Sequence, residues 1–425
     1  MAMTLAEKII ARAAGRAKVS PGEIVTCAVD LAMIHDSGGP RRVKPILDRL
    51  GVGVWDPDKV VLVSDHYLPA TDEESRNIQR VTRTFAAAQG ISNFYDAQGI
   101  CHVVLPERGH LKPGMFVVGG DSHSPTGGAF GAYMFGVGAT EMAGVLATGE
   151  IWLRVPDTIL IEWTGSLGAG VSSKDIMLFL CAKLGMDGGR YQAVQYAGEA
   201  IHALPMQERM TLSNMAAELG AQAGLIEADA ITADFLRATG ARIDDAMIWR
   251  GDANATASEH HVFDATTLDP QVAAPHSPAN AAPVSSHAGT KVDVAYIGAC
   301  TGAKLEDLRM AAAILRGRKA ARTIELLVAP ASLRDQEIAQ REGTLDAILD
   351  AGGRLLPNAC GICAGYGDTR FGENVTAISS TARNFKGRMG AASSQVYLGS
   401  PYTVAASAIE GRIADPREHL PEAPV

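Results

Sequence analysis

Three cysteines stand on small-residue loops: Cys300 in Ile297-Gly298-Ala299-Cys300-Thr301-Gly302, and Cys360 and Cys363 in Asn358-Ala359-Cys360-Gly361-Ile362-Cys363-Ala364-Gly365. Three thiolates placed this way can hold a cubane iron-sulfur cluster by three corners, leaving one iron free to act on a substrate as a Lewis acid. A Cys-x-x-Cys pair also reads as a redox dithiol or as half of a zinc site, the latter needing a histidine to complete it. Spacing alone leaves all three open. Cys27, Cys101 and Cys181 read as ordinary small buried or half-buried side chains, since six cysteines in 425 residues do not make a disulfide framework.

Asp65-His66 and Asp121-Ser122-His123 each follow an apolar run and enter a turn-like or Gly-rich segment, and His102 sits beside a third apolar run. A strand C-terminus opening into a loop is where α/β proteins place ligand-contacting groups. Any one of these histidines alone reads as a satisfied structural residue. Two Asp-His arrangements and a third histidine together suit proton transfer, because a carboxylate orients an imidazole and raises its basicity. Arg383 and Arg388 lie five apart in a loop, and a guanidinium's planar fork suits carboxylates; the plainer alternative is a solvated basic loop. Asn214 and Glu218 lie four apart on a helix-like stretch and share a face. As a pair they read as surface residues, although small apolar neighbours point to burial beside something polar.

The elements that must position these groups alternate between short β-rich runs and longer helical patterns. Val60–Val63, Thr158–Trp163, Val292–Ile297 and Ile324–Val328 read as strands, Glu73 to Gln89 and Ser173 to Leu184 as helices, and a further helix begins at Leu305. This is an α/β chain, and its length suggests two or three domains. One composition shift, Asp269 to Gly289, is rich in Pro, Ala, Ser and His without periodicity and reads as a linker. A net charge of -9 gives no general field for nucleic acid or anionic membrane, so the charge that binds an anionic substrate must be local. The N-terminus lacks the apolar core of a signal peptide, and no run reaches the ~20 apolar residues of a membrane span. A reducing cytoplasm is the expected location.

The ordered motifs resemble the aconitase superfamily, in particular its 3-isopropylmalate dehydratase and homoaconitase large subunits. They run from Met3-Thr4-Leu5-Ala6-Glu7-Lys8-Ile9 through His102-Val103-Val104-Leu105-Pro106-Glu107 and Gly120-Asp121-Ser122-His123 to Arg383-Asn384-Phe385-Lys386-Gly387-Arg388. The resemblance implies a three-domain α/β/α core around an iron-sulfur cluster, without the mobile fourth (swivel) domain. The implied units are 1–155, 156–268, a linker 269–290, and 291–425 with the cluster cysteines. Cys300, Cys360 and Cys363 match the ligands of a [4Fe-4S] cluster with one open iron. Asp65, His66 and His102 match acid/base and orienting groups, Asp121 and His123 a second paired set, and Glu218 a further member of the catalytic set. His35, Ser122, Asn214, Arg383 and Arg388 match substrate-contacting positions.

The implied activity is a hydro-lyase that reversibly dehydrates a hydroxy di- or tricarboxylate, with 3-isopropylmalate dehydration in leucine biosynthesis as the leading expectation. Homoaconitase, 2,3-dimethylmalate dehydratase or another hydroxy-acid hydratase are alternatives within the class. An iron-responsive binding protein is the alternative outside it, disfavoured by the acidic charge. The chain ends soon after Arg412, resembling split enzymes whose separate small subunit carries the swivel domain. In two places the pattern differs: Gly302 stands where the family has Asn after Cys-Thr, and Ala382 replaces a polar residue before the first arginine.

Overall fold

The computed structural model describes residues 2–244, 248–366 and 369–421, so the last four residues of the expected unit 291–425 lie outside it. Three sheets, each covered by helices, follow one another along the chain.

The first is a five-stranded parallel sheet in spatial order Phe94–Asp96, Val60–Ser64, Leu31–His35, Phe116–Gly119, Tyr133–Gly136. Leu31–His35 and Val60–Ser64 are buried at every position, the continuous apolar run expected of strands with helices on both faces. The chain winds outward from Leu31–His35 first to one side and then, through Phe116–Gly119, to the other. That reversal opens a crevice at the carboxyl ends of these two strands. Helix Glu73–Gln89 has the bounds read from the sequence, fixed by the Asp72 cap on Ser75 N and by left-handed Gly90 (φ 70°).

The second sheet is parallel, in order Ala223–Leu225, Ala193–Ala197, Thr158–Thr164, Glu259–Asp264. Helix Ser173–Leu184 packs nearby and starts at a Ser172/Asp175 capping box. The third sheet has seven strands, with Val294–Ile297 between Thr376–Ser379 and Glu325–Val328, so a second reversal point forms there. The stretch 269–290 does not hang free between units. Its strands Gln271–Ala273 and Ala281–Pro283 pair with each other, and Ala273 pairs with Leu398 of the third sheet. Three-residue strands, one ending in a proline that lacks an N–H, leave no period to read.

Strand Ile24–Ala28 pairs antiparallel with Glu150–Arg154, outside the three sheets. The first and third units are stitched by Ile100 N donating to Ala331 O at 2.8 Å and Leu333 N to Gln98 O at 3.0 Å. Beside this seam Ser332 Oγ donates to the buried Glu107 Oε1 at 2.7 Å, next to the buried Asp335. Burial, and then the Asp335 charge, push Glu107 up from 4.5 to about 8. No helix among the described residues is long and apolar enough to cross a membrane.

Candidate active site

The two reversal points face each other. From the first sheet come His35 at the end of Leu31–His35, Asp65 and His66 directly after Val60–Ser64, and Asp121 to His123 after Phe116–Gly119; His102 comes from the first turn of helix Cys101–Glu107. From the third come Cys300 after Val294–Ile297, Cys360 and Cys363 around the turn Gly361–Ala364, and Arg383 after Thr376–Ser379. Helix Met206–Met215 and the turns after it supply Asn214 and Glu218. A backbone bond from Cys360 N to Asp65 O, 2.9 Å, joins the two halves.

A cavity of about 300 Å³ is lined by His35, His66, His102, Asp121, Ser122, His123, Cys300, Cys360, Cys363, Arg383 and Arg388. Asp65, Asn214 and Glu218 support that lining from behind, all nearly or fully buried. The structure therefore gathers all fourteen residues singled out in the sequence. It also adds Asp36, Thr126, Tyr366 and Arg42. Asp36 had a readable signal, a His-Asp pair closing an apolar strand; the other three had none.

Asp121 is the hub. Its Oδ1 accepts from His102 Nε2 at 2.8 Å and from His123 N at 2.8 Å, and its Oδ2 lies 3.7 Å from His35 Nε2 and 3.9 Å from His66 Nε2. Burial alone would raise its pKa, but the hydrogen bond and charge of His102, with His123 and His35, hold it well below the usual carboxylate range. Asp65 Oδ1 accepts from His66 Nδ1 at 2.6 Å and its Oδ2 from Cys101 N at 2.7 Å. Burial opposes ionisation of Asp65, yet the neighbouring His66 brings it to about 2. Burial likewise works against a charged His66, but the Cys360 sulfur and Asp65 push its pKa well above 6.5. His35 stacks on the His66 ring, centroids 4.2 Å apart, and is lowered by burial and then by that neighbour. One imidazole thus holds a proton while the ring stacked on it gives its own up.

Glu218 links the other half. Its Oε1 accepts from Arg383 Nε at 2.6 Å and from His123 Nε2 at 3.1 Å, while Arg383 Nη1 donates to Ser122 Oγ at 2.9 Å. Burial raises Glu218, but Arg383 and His123 overcome it and the carboxylate stays ionised. His123 is lowered by burial and then by Arg383.

The three cysteines are free and buried. Asn214 Nδ2 donates to Cys300 Sγ at 3.2 Å. Burial, then the crowding of Cys360 and Cys363, pushes the Cys300 thiol well up, and burial takes Cys360 to about 12. Thiolates so placed need a cationic partner, which is what a metal supplies. Among the described residues two groups converge closely enough for a single ion, His35–Asp36–Asp65–His66 and His102–Asp121–His123, and neither includes a cysteine. Sulfurs spread around a cavity suit a cluster, whose thiolates bind different irons. Four buried polar atoms of the site have no partner among the described residues: His102 Nδ1, Asn214 Oδ1, Glu218 Oε2 and Arg388 Nε. In a built site such atoms mark where a ligand or cofactor is received. The residues fit an iron-sulfur group. Cys27, Cys101 and Cys181 are buried and free elsewhere, Cys101 beside Asp65.

Both departures from the family pattern have structural counterparts. A Cβ on Gly302 would meet Ser380 Oγ and Cβ at 2.2 Å, so no side chain fits there. Ala382 is buried in the apolar core of the second unit.

The aconitase family (aconitate hydratase) matches over residues 7–411. A Methanopyrus kandleri protein named 3-isopropylmalate dehydratase large subunit 1 is 41% identical, covering 99% of this chain and 100% of that protein. A Methanothermobacter thermautotrophicus protein named probable methanogen homoaconitase large subunit is 42% identical, covering 98% of each. Among solved structures, Thermococcus kodakaraensis aconitase X in its holo form is 13% identical over 84% of each chain, with a TM-score of 0.48.

Proposed function

The chain belongs to the aconitase family, and from that premise we propose that it is the large subunit of a 3-isopropylmalate dehydratase. This hydro-lyase interconverts 2- and 3-isopropylmalate in leucine biosynthesis, acting in the cytoplasm with a separate small subunit. The observation that carries the reading is one cavity in which three cysteines, three arginines and the four histidines around Asp121 meet. The names of the relatives support the substrate and the division into subunits.

The cofactor the family implies is an iron-sulfur cluster. In this reading Cys300, Cys360 and Cys363 hold a [4Fe-4S] group whose open iron supplies Lewis-acid polarisation of the substrate hydroxyl. The chain's own side chains do the rest. Arg388, with Nε unpartnered, and Arg383 receive substrate carboxylates; Glu218 and Ser122 fix the Arg383 plane through Nε and Nη1. His66, oriented by Asp65 at Nδ1, holds a proton and gives it to the departing hydroxyl from Nε2. Asp121 orients the His102 ring through Nε2 and accepts from the His123 backbone N–H, while Glu218 holds the His123 ring. The C–H proton leaves to a base on the small subunit, whose swivel domain also covers the cavity and excludes water.

The test is hydration of a cis-alkene dicarboxylate, followed by loss of its ultraviolet absorbance, with the cluster-loaded chain alone and with a candidate small subunit. Little turnover alone and full turnover with the partner is the expected result. Full turnover by the homogeneous isolated chain would overturn the two-subunit reading. A second reading, homoaconitase, rests on the name of the Methanothermobacter relative, which matches as well as those named 3-isopropylmalate dehydratase. A panel of 2-hydroxy di- and tricarboxylates separates the two by kcat/KM.

A further inference from the structure

Three cationic side chains are fully buried among the described residues: Lys174, Arg209 and Lys304. Arg209 is paired with Asp229 at 2.8 Å and Lys304 with Asp307 at 2.5 Å. Lys174 is 1% exposed, and among the described residues none of the ion pairs includes it. The carboxylates whose charge reaches it are otherwise engaged: Glu218 accepts from Arg383 and His123, Asp307 from Lys304, and Asp175 from Ser172 N, Ser172 Oγ and Gln271 N. Lys174 is also the second residue of helix Ser173–Leu184, where a cation opposes the helix dipole. A buried, unpaired cation at the wrong end of a helix is a costly arrangement unless another charge completes it.

The Lys174 contacts point to that charge. Nζ donates to Thr381 O at 2.6 Å, Ser380 O at 3.0 Å and Thr301 Oγ1 at 3.4 Å. Thr301 Oγ1 itself donates to Ser380 O at 3.1 Å, so the three acceptors call on three N–H bonds, the full complement of an ammonium. Thr301 follows Cys300, and Ser380 and Thr381 lead into Arg383. A side chain of the second unit therefore knots together the cysteine loop and the arginine loop of the third.

We propose that Lys174 is a positioning residue for the cofactor: it locks the Cys300 and Arg383 loops in register and supplies the buried positive charge that the cysteine-held group balances. This rests on the reading that Cys300, Cys360 and Cys363 hold an iron-sulfur cluster. A positive charge behind that group favours its more reduced, more negative form, and so raises its reduction potential.

The experiment compares wild type with Lys174→Met, Lys174→Gln and Lys174→Arg, prepared anaerobically. It reads iron and sulfide content, midpoint potential by redox titration, cluster loss to a chelator, and melting of the cluster-free chain. Met removes donors and charge, Gln keeps two N–H donors without charge, and Arg keeps the charge. The expected result is cluster-free melting close to wild type for Lys174→Met, but loss of the loaded cluster about 10- to 100-fold faster, the usual scale for a supporting residue. The potential falls in Met and Gln and returns toward wild type in Arg. Should Lys174→Met not fold, the Gln potential decides. Equal destabilisation of loaded and cluster-free protein with an unchanged potential would make Lys174 a packing residue and overturn the proposal alone. A wild-type chain that takes up no iron and sulfide would overturn it together with the reading beneath it.

Discussion

Replacing Asp65 with Asn tests how much this carboxylate, acting with the Cys360 sulfur, sets the protonation of His66. In the native site Oδ1 accepts from His66 Nδ1 at 2.6 Å and Oδ2 accepts from Cys101 N at 2.7 Å, so both partners need an acceptor. An amide has one oxygen. If that oxygen stays on Cys101 N, the amide nitrogen faces His66 Nδ1 and donates to it, which forces the ring proton onto Nε2 and disfavours the imidazolium. If the amide turns over, two N–H groups confront each other in a buried space. Either way His66 can no longer be held as a cation with its proton ready for a leaving hydroxyl. General acid catalysis contributes typically 10² to 10⁴ in rate, so kcat of Asp65→Asn should drop by about that factor, or about 3–5 kcal/mol of barrier. KM should change far less, because the arginines are untouched. The assay is the initial rate of dehydration by the loaded chain with its small subunit, at matched iron and sulfide content. A kcat within about threefold of wild type would refute the role given to the Asp65–His66 pair.

Replacing Cys300, Cys360 or Cys363 with Ser should abolish stable iron and sulfide incorporation while Cys27→Ser, Cys101→Ser and Cys181→Ser retain it; full cluster content in Cys360→Ser would remove that residue from the ligand set. Arg383→Lys keeps the charge but cannot span Glu218 Oε1 and Ser122 Oγ together, so substrate use should weaken about tenfold or more with the cluster spectrum retained. Unchanged kinetics would place Arg383 outside the substrate site. Glu107 makes a pH prediction: its folded value, about 8, lies above the ordinary 4.5, so its burial costs nothing below pH 4.5, costs progressively more as pH rises, and costs most above pH 8. Glu107→Gln should therefore match wild type near pH 4.5 and exceed its stability by about 2–4 kcal/mol near pH 9, by urea unfolding; equal midpoints at pH 9 would count against the buried-carboxyl account.

Local signals were legible where the chain punctuates itself. Helices Glu73–Gln89 and Ser173–Leu184 begin at Asp72 and Ser172, side chains that bond the first free N–H groups; His66 and His123 follow apolar runs that became buried parallel strands, whereas the run beside His102 became helix Cys101–Glu107. What the sequence hid is long-range. Nothing local says that Glu218 reaches both His123 and Arg383: small apolar neighbours point to the burial that Asn214 and Glu218 show, but the helix that the pattern gives them in common ends at Met215. Pairing of Ile24–Ala28 with Glu150–Arg154 has no local signature either. Residues 269–290 read as a linker because their strands are too short to alternate, yet Val272 is fully buried. Lys174 was invisible for a related reason: a lysine beside an aspartate in a helix start looks like any solvated turn.

The backbone bond between Cys360 N and Asp65 O ties the manufacture of this protein to its completion. When Asp65 leaves the ribosome, the cysteine loop that must meet it is still untranslated, and even Cys300 emerges before its two companions. Contacts so distant along the chain form late, after the loop between them has closed. A nascent chain shorter than about residue 390 cannot present the full set of thiols and arginines, so the site is assembled only late in synthesis. Until then three thiols and a cluster of imidazoles stand open to oxidants and stray ions, so under the proposed cluster reading the interval before iron is bound is the vulnerable period in the protein's life.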